Sequence, residues 1–94
     1  MGRSNMREIT VDCTKISDKA ELHKVLAEEL SFPDWYGNNL DALYDCLTGI
    51  ADDTCIIVEG LEVLEERLGS YALSFRKVML NAADDNEKIR AAFI

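Results

Sequence analysis

From the N-terminus, apolar residues first alternate with polar ones. Ile9, Val11 and Cys13 are interleaved with Thr10 and Asp12, the period of a strand with one buried face. The spacing then becomes helical: Leu22, Val25, Leu26 and Leu30 share one face of a helix predicted over about 18 to 30. Ser17 and Asp18 offer its N-cap, and Asp18 with Glu21 fits a capping box. Pro33 stops the helix, because the residue before a proline disfavours helical backbone. Residues 33 to 38 read as a loop in which Gly37 and the asparagines take left-handed or capping conformations. Leu40, Leu43 and Leu47 form the apolar stripe of a second helix over roughly 39 to 48, capped by Asn38 or Asn39 and ended at Gly49.

After a turn at Asp52 and Asp53, the run CIIV (Cys55 to Val58) is continuously apolar and rich in β-branched residues. It reads as a strand buried on both faces. Leu61, Leu64 and Leu68 predict a third helix ending near Gly69. Ser70 would cap a fourth, with Tyr71, Phe75, Val78 and Met79 facing inward. Asn81 to Asn86 reads as a polar turn, and Ile89 to Ile94 as a final strand. The order strand, two helices, strand, two helices, strand calls for helical crossovers, which join parallel strands. The predicted class is α/β: a three-stranded parallel sheet covered by about four helices. With 94 residues, no repeat and no linker, one domain over 1–94 with one core is expected. Residues 1–5 read as an added leader before a natural start at Met6.

Charge narrows the class of partner. Ten basic against 18 acidic residues leave a net charge of -8, which disfavours nucleic acid and anionic membrane and favours a basic protein. Cys13, Cys46 and Cys55 are odd in number and form no CxxC, and His23 is the single histidine. A disulfide framework or zinc site is therefore not expected, nor any cofactor. The N-terminal MGRSNM lacks an apolar core behind it, so it is not a signal peptide, and the expected location is the cytoplasm.

The acids are unevenly spread. Between Lys24 and Arg67 there is no lysine, arginine or histidine, and this stretch holds Asp34, Trp35, Tyr36, Asp41, Tyr44 and Asp45. Carboxylates without local basic partners direct their field outward. On the second helix Asp41 and Asp45 lie four apart on one flank, with Tyr44 and Thr48 beside them. The bland reading is a solvated helix face; the neighbouring aromatics and missing cations argue instead for a surface that meets a cation. Catalysis by an Asp41/Asp45 carboxylate pair lacks a cleft and a reason for one raised pKa. A Cys46–His23 dyad is weaker still, with His23 on another helix and expected at the surface. Asp52-Asp53 does not fit a calcium loop.

The run YGNNLDALYDCLTG, with the preceding PDW, resembles the central motif of the barstar family, intracellular inhibitors of secreted ribonucleases of the barnase type. The likeness is closest over residues 32 to 49, and the element order agrees along the whole chain. The resemblance implies a three-stranded parallel sheet with helices, and an inhibitor rather than an enzyme. In the family, the second helix and its preceding loop plug the nuclease active site. By position, Asp45 would take the place of substrate phosphate against catalytic arginine and histidine side chains. Asp41 would pair with basic groups at the rim, and Trp35, in place of a family tyrosine, would lie over the catalytic histidine. Tyr36, Asn39, Leu40, Tyr44, Thr48 and Gly49 would complete the contact surface. The implied partner is a basic secreted ribonuclease in a 1:1 complex, the free protein being a monomer. The chain departs from the family pattern at three further places: Tyr44 and Ile50 replace tryptophans, and Lys77 replaces an inhibitory glutamate after Phe75-Arg76. An acidic interaction domain, or an immunity protein against a different toxin, is the competing reading.

Overall fold

The computed structural model describes residues 6–94, so the expectation for residues 1–5 lies outside the described residues. Strand β1 (Arg7–Asp12) leads through a 3₁₀ turn (Cys13–Lys15) into α1 (Lys19–Leu30). Helix α2 (Leu40–Thr48) precedes β2 (Thr54–Glu59). Helices α3 (Leu61–Leu68) and α4 (Ser70–Asp85) then lead to β3 (Ile89–Phe93). The three strands form one parallel sheet in the order β1-β2-β3, with Ile9 level with Ile56 and Ala91, and Val11 level with Val58 and Phe93. The α/β class and the parallel sheet follow the pattern read from the sequence.

The register explains the core. Ile9 and Val11 of β1, Ile56 and Val58 of β2, and Ile89 of β3 point to one side, where they are buried with Leu22 and Leu26 of α1, Leu43 and Leu47 of α2, Leu64 of α3, and Phe75 and Met79 of α4. Burying each such side chain is worth about 1.5–3 kcal/mol. The opposite row of β2 (Cys55, Ile57 and Glu59) is only half-buried. The expectation of a strand covered on both faces is thus corrected: continuous apolar sequence marked a strand with one sealed and one partly open face. Among the described residues no helix is long and apolar enough to cross a membrane.

Three further expectations change. Residues 81–85 continue α4 rather than forming a turn, because Ala82 is fully buried and holds the segment to the core. Ser70 opens α4 without a capping side-chain bond; the cap position is Gly69, at φ 62°. His23 is not at the surface: it is 1% exposed, inside α1's buried face.

Asp18 caps α1 by accepting from the Glu21 amide at 2.8 Å. In return Glu21 accepts from the Ser17 amide at 2.7 Å, a reciprocal arrangement shifted by one residue from the usual capping box. Beyond α1 the chain turns on Ser31, which sits in the left-handed region at φ 57° while the Phe32 amide donates to the Ala27 carbonyl at 2.9 Å. A second left-handed residue, Asn38 at φ 55°, delivers the chain to α2. Gly37 has no such conformation. Its role is steric, since a Cβ there would stand 3.3 Å from the Ala42 Cβ, tighter than ordinary contact.

Candidate protein-binding site

The loop before α2 folds as a turn in which the Tyr36 amide donates to the Pro33 carbonyl at 2.9 Å. This geometry sorts its aromatics. Phe32 and Tyr36 pack together, ring centroids 4.8 Å apart, while Trp35 is lifted to 81% exposure. Tyr36 is 7% exposed, and its hydroxyl meets His23 Nδ1 at 2.7 Å. The other ring nitrogen, Nε2, meets the Tyr71 hydroxyl at 2.7 Å. The imidazole thereby ties α1 to the loop and to α4. Burial pushes the His23 pKa below its ordinary value and the tyrosine hydroxyls above theirs. Tyr36 therefore supports the loop from below, although its sequence position suggested direct contact with a partner.

Helix α2 begins at Asn39, whose Oδ1 accepts from the Ala42 amide at 2.7 Å and whose Nδ2 donates to the Gly37 carbonyl at 3.2 Å. One side chain both caps the helix and fixes the loop to it. Leu43 and Leu47 anchor the inner face and Leu40 is half-buried, so the flank carrying Asp41 and Asp45 faces solvent. Asp41, in the first turn, is favoured by the helix dipole. Among the described residues no salt bridge engages Asp41 or Asp45; the single pair joins Lys88 to Asp53 at 4.0 Å. Both carboxylates stay free for an external cation.

Thr48 is occupied within its own helix, donating to the carbonyls of Tyr44 at 2.9 Å and Asp45 at 3.2 Å. Gly49 ends the helix with its amide shared between the Asp45 and Cys46 carbonyls, at 3.2 Å each, without left-handed backbone. Two carbonyls at this helix end are also met from a distance. Asn86, just past α4, donates through Nδ2 to the carbonyls of Leu47 and Ile50, at 2.9 Å each. Tyr44 donates its hydroxyl to Asp85 Oδ2 on α4. That bond, together with the nearby negative charge, raises the Tyr44 pKa. Neither Asp85 nor Asn86 was marked by the sequence pattern, which read this segment as a turn.

Phe32, Trp35, Asp45, Cys46, Gly49 and Ile50 line a groove of about 340 Å³. A second groove, of about 400 Å³, lies across the loop beside Asp34, Tyr36 and Asn38, so the loop forms a ridge between two depressions. Burial and the adjacent Asp45 push the Cys46 thiol pKa up, away from thiolate chemistry, and both His23 nitrogens are already engaged. Of the predicted surface residues, Asp41 and Asp45 are exposed on one flank of α2, Trp35 lines the groove with Asp45, and Tyr44 leans the other way onto α4, with Asn39, Thr48 and Gly49 shaping the backbone. Lys77 is exposed on α4.

Comparison with known proteins finds sequence relatives of this chain. The family model described as Barstar (barnase inhibitor) matches residues 6–94. A protein of Bacillus subtilis (strain 168), named "Putative ribonuclease inhibitor YrdF", is 40% identical over 81 residues, covering 85% of this chain and 89% of its own length.

Proposed function

The chain belongs to the barstar family, whose activity is ribonuclease inhibition, and from that premise we propose that it blocks a barnase-type ribonuclease by seating α2 and the 32–38 loop in its active site. The observation that carries this reading is the pair of unpaired carboxylates, Asp41 and Asp45, on a fully supported helix beside an almost bare Trp35. A ribonuclease active site must hold a phosphate diester, so it concentrates arginine, lysine and histidine. A carboxylate offers those groups two acceptor oxygens and a full charge, and charge-assisted bonds from guanidinium to carboxylate are strong and directional. Asp45 serves as the phosphate mimic and Asp41 as its partner at the rim. Trp35 covers an imidazole or guanidinium with its ring face.

The helix is held by its caps and by α4 before any partner arrives, so little ordering entropy opposes association. The protein acts as a monomer forming a 1:1 complex, resides in the cytoplasm, and performs no catalysis of its own. Titrating it into barnase or another guanyl-specific ribonuclease of that type should abolish RNA cleavage near one equivalent. Asp45→Ala should weaken the complex by about 2–5 kcal/mol, a range for which the family's own barnase complex is the reference case. Undiminished cleavage by every such nuclease would transfer the acidic face to an unrelated basic partner.

A further inference from the structure

The last turn of α4 does more than close the core. Helix α4 runs to Asp85, and this extension brings the Asp85 carboxylate onto the exposed flank of α2, where Tyr44 donates its hydroxyl to Oδ2. The next residue, Asn86, holds two carbonyls at the C-terminal end of α2. Two successive residues of one segment therefore grip α2, one through its backbone and one through a side chain of the acidic flank. Tyr44 is three residues after Asp41, so the two side chains are neighbours on the helix surface, while Asp45 follows a fifth of a turn or more further round. A tyrosine there has two torsions to settle. Packing against the core limits the half-buried ring, and the bond to Asp85 fixes where its hydroxyl end lies.

We propose that Asp85 is a positioning residue of the partner-binding surface: by accepting the Tyr44 hydroxyl it fixes that ring against the Asp41–Asp45 flank, ready for a basic protein partner. The proposal rests on the inhibitory reading and adds α4 to the surface. The bond also decides what Tyr44 offers. With its proton committed to Asp85, the phenol presents a ring face and an acceptor oxygen, both suited to a cationic group, and no free donor. Because the charge sits on Asp85, the fixed ring is reinforced as a cation-receiving surface. Lys77, about two turns earlier on the same helix, does not touch this pair.

The test is a double-mutant cycle on the intact protein, with barnase as the probe and Asp45→Ala as the reference. Asp85→Ala and Tyr44→Phe should each speed dissociation roughly tenfold, the size expected for a lost hydrogen bond to a charged group. The double variant should be no worse than the poorer single one, since both remove the same bond. Asp85→Asn, which keeps an acceptor oxygen, should restore dissociation to within about twofold of wild type in high salt, where the lost charge matters least. Loss of thermal stability in the free protein with unchanged dissociation would make the bond merely structural and overturn the proposal. Additive losses in the cycle would overturn it as well. Binding that needs Asp45 but ignores Tyr44 and Asp85 would reject this proposal alone; absence of binding by the wild type would reject it together with the inhibitory reading.

Discussion

Trp35 and His23 mark the two extremes of what a single position reveals. Trp35 is the chain's one tryptophan and is 81% exposed, so intrinsic fluorescence reports on the proposed site without a label. Its emission should shift to the blue when the ribonuclease binds. An unchanged spectrum in a complex proven by other means would place the interface elsewhere. Its exposure was legible, because it follows Pro33 and Asp34 outside any apolar period. His23 was not. It sits next to Leu22 on α1, and nothing local announces that Tyr36 and Tyr71, 13 and 48 residues away, will close over both of its nitrogens. Its folded pKa lies below that of the unfolded chain because burial disfavours the imidazolium. The unfolded state therefore takes up the proton first, and stability present above about pH 6.5 is lost as the pH falls through the folded value. Urea unfolding at about pH 7.5 and about pH 5 should show this loss in the wild type and a smaller one in His23→Gln. An equal loss in both would assign the acid sensitivity to the carboxylates.

At the level of elements, α2 is a nine-residue helix too short to persist alone. Its stability is borrowed from the caps at each end. Asn39→Ala should cost about 1 kcal/mol of unfolding free energy by removing the N-cap. Asn86→Ala should cost about 1–2 kcal/mol, because the Ile50 carbonyl loses its donor and the Leu47 carbonyl keeps only the Ile50 amide. Denaturant titration reads both, and a neutral Asn86→Ala would mean that water replaces the clamp. A cap at Asn38 or Asn39 was legible, since the pair directly precedes an apolar stripe at helical spacing, and Asn39 takes the role. The clamp was hidden, because asparagine followed by charged residues is also what a turn looks like. The one local sign was Ala82-Ala83, good helix formers in the middle of the supposed turn. Strand β2 misled for a related reason, since an apolar run records side-chain chemistry and not how many faces are covered.

Over the whole molecule, the net charge of -8 acts at a distance that no single contact does. Association with a basic nuclease should slow steeply as salt is raised through the physiological range, where the screening length is about 8 Å, while dissociation changes far less. A salt-independent association rate would deny the charge any role in steering. The parallel sheet was readable from the alternation of strands and helices; the single sealed face required the register. That register has a temporal side. The chain is made from the N-terminus, and α2 is complete long before Asp85, Asn86 and β3 exist. Until those residues emerge and β3 docks beside β2, the far end of α2 has no clamp and Tyr44 no anchor. On a translating ribosome α2 is thus synthesised early but clamped late, and a nascent chain carrying the whole 32–49 motif lacks the Asp85 and Asn86 contacts until its final strand folds.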